Sequence, residues 1–109
     1  MLNPPFCDIC VINFSGKIEK EVVAAANKFM KLLKEVAQKG YGEIPLRIYA
    51  PVEARIKMLS KNYRYKIMVK CKNNAVFRKF MKEVLIEFYK NNKVKYISIW
   101  PVINPDMTL

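Results

Sequence analysis

The sequence predicts an α+β domain of two layers, in which an antiparallel sheet carries two helices on one face. Three observations carry that prediction. Strand-like apolar segments alternate with two stretches of helical spacing, in the order β-α-β-β-α-β. The clearest period-two alternation in the chain, Tyr63 to Cys71, lies between the two helices. At 109 residues, 52% of them hydrophobic, the chain has material for one core and no internal boundary.

The first strand is expected from Phe6 to Phe14, apolar on both faces as a central strand should be, and Ser15-Gly16 ends it. Helical spacing follows in Ile18, Val22, Ala25, Ala26, Phe29, Leu33 and Val36, and Gly40 stands where a C-terminal cap is wanted. Lys28, Lys31 and Lys34 occupy the other, solvated side of that helix. After Tyr41-Gly42-Glu43 a short strand is expected around Leu46 to Tyr49. Arg55 to Leu59 then leads through Ser60-Lys61-Asn62 into the strand from Tyr63 to Cys71.

In that strand Tyr63, Tyr65, Ile67, Val69 and Cys71 share one face, and Arg64, Lys66, Met68 and Lys70 share the other. The first face belongs under the helices, which leaves the cations on the open side of the sheet or at its edge. Asn73 or Asn74 is positioned to cap a second helix from about Ala75 to Tyr89, with Val76, Phe77, Phe80, Val84, Leu85 and Phe88 as its buried stripe. A last strand is expected from Val94 to Trp100, followed by a surface tail from Pro101 to Leu109. The element order is that of ferredoxin-like domains.

Twenty Lys and Arg against nine Asp and Glu give a formal charge of +11. Thirteen of these cations fall between Arg55 and Lys95, where the only acids are Glu83 and Glu87, so the excess is concentrated in the second half. A field of this size favours an anionic partner such as a phosphate backbone or an acidic peptide. No apolar run approaches the roughly 20 residues of a membrane span, and Met1-Leu2-Asn3-Pro4-Pro5 lacks the basic and apolar regions of a signal peptide. The address expected is cytoplasmic, without a membrane partner, and three cysteines suit a reducing compartment.

Catalytic chemistry finds little support. Cys7-Asp8-Ile9-Cys10 has metal-ligand spacing, yet in a strand residues three apart face opposite ways, and only Cys71 remains as a further thiol, with no histidine anywhere. There is no phosphate-cradling Gly-rich loop. No catalytic residue, metal ligand or cofactor is assigned to this chain. Basic residues interleaved with aromatics, in Tyr63-Arg64-Tyr65-Lys66 and Lys93-Val94-Lys95-Tyr96, point instead to nucleic acid. Lys61-Asn62-Tyr63-Arg64-Tyr65 resembles an RNA-recognition strand in its lysine and two aromatics, but the alternation puts those tyrosines on the core face. A second anion site is offered by the backbone amides opening the second helix, at Asn73 and Asn74, with Arg78 one turn on. The plainer reading there is a cap.

Several short strings taken in order resemble one family. Pro4-Pro5-Phe6, Asn13-Phe14-Ser15-Gly16, Ala50-Pro51-Val52-Glu53-Ala54, Tyr63-Arg64-Tyr65-Lys66-Ile67-Met68-Val69-Lys70 and Asn104-Pro105 are similar to the successive motifs of the C-terminal domain of primosomal protein N′ helicases. Departures are Ala50 for the turn glycine, Glu53 for its second proline, Lys66 for a glutamine and Val102 for an aspartate. The resemblance implies a fold like ribosomal protein S10 and a piece of a larger ATP-dependent 3′-to-5′ DNA helicase acting in replication restart. It further implies that ATP, magnesium and zinc belong to the absent motor and zinc-binding domains.

The partners it implies are forked or single-stranded DNA, the acidic C-terminal tail of single-stranded DNA-binding protein, and the rest of the helicase. On the residues, Arg64, Lys66, Lys70 and Lys72 are the expected phosphate contacts. Asn73, Asn74 and Arg78 are expected to meet an acidic tail or phosphate. Two other readings stay open: a structural domain docking on the helicase core without touching DNA, and an S10-like RNA-binding protein.

Overall fold

The computed structural model of the chain describes residues 8–41, 46–59, 62–72, 74–91 and 97–103. Its elements are β1 (Asp8–Gly16), α1 (Glu19–Gly40), β2 (Arg47–Ile48), β3 (Val52–Leu59), β4 (Asn62–Cys71), α2 (Ala75–Asn91) and β5 (Ile97–Ile103). The sheet is antiparallel in the order β2-β4-β1-β5, and β3 also pairs with β4, beside its N-terminal half. Both helices pack on one face, so the expected two-layer α+β architecture is the one found.

β1 and β4 form the spine, in register from Asp8 opposite Cys71 to Gly16 opposite Tyr63. Directly paired residues share a face. Cys10, Ile12 and Phe14 of β1 therefore join Ile67, Val69 and Cys71 of β4 beneath the helices, and all six are fully buried. From above, α1 contributes Val22, Ala25, Ala26, Phe29 and Leu33, and α2 contributes Phe77, Phe80, Met81, Val84 and Phe88. Phe29 ties the layers together. Its ring centroid lies 5.5 Å from Phe14 in an edge-on contact and 5.2 Å from Phe88, so one side chain touches β1 and α2 at once.

Tyr63 and Tyr65 are half-buried against this core, on the face the alternation assigned them. The Tyr65 hydroxyl donates to Glu19 Oε2 at 2.7 Å and reaches Glu53 Oε1 at 3.5 Å, linking β4 to the start of α1 and to β3. Asn74 caps α2 through its Oδ1, which accepts from the Phe77 N–H at 2.9 Å.

Several expected boundaries shift, each for a physical reason. β1 includes Ser15 and Gly16, because both still pair with β4 and β5. Gly40 is the last residue of α1 and is not left-handed; the helix ends instead with the Tyr41 N–H donating to Ala37 O at 3.0 Å. Ile18 precedes α1 as its N-cap and is 56% exposed, so it is not part of the buried stripe.

Val76 also leaves its expected stripe, at 47% exposed, whereas Met81 is buried beside Phe77 and Phe80. The segment read as a lead-in to β4 is a strand, β3, whose register against β4 slips between Glu53 and Met58. Pro101 to Ile103 is not tail but strand, pairing with Ile12, Val11 and Cys10. Proline is tolerated there because β5 is an edge strand. The expectations for Phe6, Cys7, the turn at Gly42-Glu43, Ser60-Lys61, Asn73, Lys93 to Tyr96 and the residues from Asn104 onward lie outside the described residues.

Replacing Phe29 by alanine removes the contact shared by both layers and leaves a cavity between them. Urea unfolding of Phe29→Ala is expected to show a loss of about 3–5 kcal/mol. A loss below 1 kcal/mol would contradict the packing described.

A basic sheet face as candidate nucleic-acid interface

The side of the sheet away from the helices is defined by the same registers that define the core. In β4 it presents Arg64, Lys66, Met68 and Lys70, all partly exposed. Opposite them in β1 stand Ser15, Asn13, Val11 and Ile9. From β5 come Ser98, Trp100 and Val102, opposite Ser15, Asn13 and Val11. Arg47 of β2 faces Lys70 and Val52 of β3 faces Lys66. Among the described side chains of this face four are cations, Arg47, Arg64, Lys66 and Lys70, and none of the residues just named is acidic.

The centre of this face is apolar. Val11 is only 4% exposed although it points away from the helices, and Met68 and Val102 are half-buried beside it. One corner is built around Tyr49, whose N–H donates to Met68 O at 3.0 Å and so extends the ladder beyond β2. The Arg47 guanidinium carbon and the Lys70 Nζ lie 5.5 and 5.8 Å from the Tyr49 ring centroid, a cation–π pair that holds both charges in place. At the opposite edge Trp100 is 37% exposed. The Asn13 Nδ2 donates to Trp100 O at 3.4 Å and to Val11 O at 3.5 Å.

Of the residues expected to contact phosphate, Arg64, Lys66 and Lys70 share this face, and Lys72 is exposed just beyond the end of β4. Arg47, Tyr49, Asn13 and Trp100 were not anticipated. The alternation Ile97-Ser98-Ile99-Trp100 already separates Trp100 from the core residues of β5. Arg47 and Tyr49 become neighbours of Lys70 only through the pairing of β2 with β4.

The second expected site is arranged differently. Asn74 spends its side-chain oxygen on the cap, which engages the Phe77 amide, and its carbonyl accepts the Arg78 N–H at 3.0 Å as the first helical bond of α2. Arg78 stands instead on the rim of a groove of about 340 Å³ between α2 and β5. Phe77, Met81, Leu85 and Ile103 line its wall, and Lys82 adds a second cation. A larger groove of about 520 Å³ between the end of α1 and α2 carries Glu35, Glu83 and Glu87 against one cation, Lys39. Its charge has the wrong sign for a polyanion.

The model of the family described as primosomal protein N C-terminal domain matches residues 1–102. The chain belongs to that family. Membership gives this primosomal domain a role in DNA replication at the level of the primosome and replication restart, with DNA and primosome components as general partners. No curated protein sequence matches the chain. Among solved structures it is similar to the de novo designed protein Foldit4, with a TM-score of 0.56 and 8% identity over 88% of this chain and 96% of that one, a likeness of fold alone.

There is no histidine in the sequence, and among the described residues no group of three or more metal-ligating side chains comes together. No helix among the described residues is long and apolar enough to cross a membrane. Cys10 and Cys71 are buried, and Cys7 lies outside the described residues.

Burial, and secondarily the neighbouring Cys71, push the Cys10 thiol up from 9.0 to about 12. The folded state therefore holds this proton more tightly than the unfolded chain. The associated stability is intact below pH 9 and is lost as pH rises towards about 12. The urea midpoint should fall more steeply above pH 9 in the wild type than in Cys10→Ala; parallel curves would refute the assignment.

Proposed function

We propose that this domain is the DNA-binding and protein-docking module of a primosomal replication-restart helicase, with Arg64, Lys66 and Lys70 contacting DNA phosphates and Lys72 extending the same surface. The single observation that carries this reading is the segregation of charge. The β1–β4 register collects cations on the one broad face that the helices leave uncovered, while the larger helix-side groove is acidic. ATP, magnesium and zinc act in the other domains of such a helicase.

Phosphate contacts release counterions, so each one adds about 0.9 to the slope of log affinity against log salt on duplex DNA and about 0.7 on single strands. Replacing Arg64, Lys66 and Lys70 together by glutamine is expected to lower that slope on forked DNA by about 2–3 and to weaken binding at every salt concentration. An unchanged slope and affinity would sink the DNA assignment and favour a domain that only docks on the helicase core.

The groove between α2 and β5 is the proposed seat of an acidic protein tail such as that of single-stranded DNA-binding protein. Its apolar wall suits an apolar end residue, and Arg78 and Lys82 on the rim suit the adjacent carboxylates. In titrations with an acidic tail peptide, Arg78→Glu should weaken binding by about tenfold or more, as loss of a charge-assisted contact does. Unaltered peptide affinity would remove Arg78 from this role.

A further inference from the structure

The DNA reading above leaves open which form of DNA the sheet accepts, and resting on that reading we propose that the open face binds unpaired DNA, stacking a base on Trp100 while Arg64 and Lys66 hold the neighbouring phosphates. Trp100 is the only tryptophan of the chain, and it is presented to solvent from the edge strand of a cationic face. It is also held ready. Pro101 restricts the residue before it to extended backbone, and Asn13 donates to its carbonyl, so the backbone carrying the ring is fixed before any ligand arrives.

The surroundings of the ring fit a strand crossing the sheet. Trp100, Asn13 and Lys66 form one rung in register across β5, β1 and β4. Two strand spacings put the Lys66 backbone about 10 Å from that of Trp100, within reach of a phosphate flanking a stacked base. The adjacent rung is Ser98, Ser15 and Arg64. Among the described residues, Asn13, Ser15 and Ser98 stand between the ring and the two cations, small polar side chains that offer hydrogen bonds to sugar or base edges.

Duplex DNA fits this surface poorly. Among the described residues no helix or ribbon projects from this sheet face to enter a groove, and the faces of paired bases are hidden within the stack. Unpaired bases expose those faces. A protein partner on the same surface would have to be strongly acidic and would derive nothing specific from the path between Trp100 and the cations.

The experiment uses the whole chain and its own tryptophan as reporter. Oligo-dT is expected to quench Trp100 fluorescence on binding, and blunt duplex of equal length to leave it nearly unchanged. By anisotropy of labelled oligo-dT, Trp100→Ala should weaken binding about 5- to 150-fold, the range of one base–aromatic stack, and Trp100→Phe should retain most of the affinity. Arg64→Gln with Lys66→Gln should weaken duplex and single strand alike.

If Trp100→Ala binds oligo-dT as the wild type does while the double glutamine variant loses both DNAs, stacking is overturned and the phosphate contacts stand. If neither variant changes DNA binding, both readings fall. Equal quenching by duplex would also overturn the preference for unpaired DNA.

Discussion

The fold and the candidate site both hang on the register of β1 against β4. Because side chains alternate along a strand, pairing Ile12 with Ile67 commits Cys10, Phe14, Val69 and Tyr65 to the helix side and Asn13, Lys66, Arg64 and Lys70 to the other. A slip of one residue would bury Arg64 and Lys66 under Phe29 and Phe88 while exposing Ile67 and Val69. Desolvating unpaired cations costs several kcal/mol each, so the core itself fixes where the charge goes. The basic face is the other half of the pattern that builds the hydrophobic interior.

That coupling explains what could be read from the sequence. Both faces of β4 were legible because its alternation is unbroken from Tyr63 to Cys71, and α1 and α2 were legible from their apolar stripes. β3 was obscured because its pairing with β4 slips between Glu53 and Met58, so that no constant register underlies its sequence. β5 was cut short at Trp100 because proline usually ends a strand, and its tolerance at an edge depends on knowing the strand order. Trp100 was passed over for a related reason: its meaning comes from Asn13, 87 residues away, and from Lys66 beyond it. Local pattern gives faces; neighbours across strands come only from topology.

The open face is not uniformly polar, and this bears on how it is used. Val11, Met68 and Val102 form an apolar centre between the rung of Trp100 and Lys66 and the corner of Tyr49, Arg47 and Lys70. Cations set around apolar surface interact with phosphate at lower local dielectric than cations scattered over a polar one, which strengthens each contact. The cation–π pair at Tyr49 serves the same end by holding two flexible side chains in one place, so less side-chain entropy remains to be lost on binding.

β5 lends a residue to each of the two proposed binding surfaces, and its alternation keeps them apart. Trp100 and Val102 turn to the open face, while Pro101 and Ile103 turn to the groove beside α2. A strand of DNA over Trp100 and a peptide against Phe77 and Ile103 would lie on opposite sides of the same edge strand without sharing a side chain. The geometry therefore permits both proposed ligands at once. It also makes the β1–β5 ladder the shared support: whatever loosens the pairing of Asn13 with Trp100 loosens Cys10 with Ile103 three residue pairs on, and with it the wall of the groove.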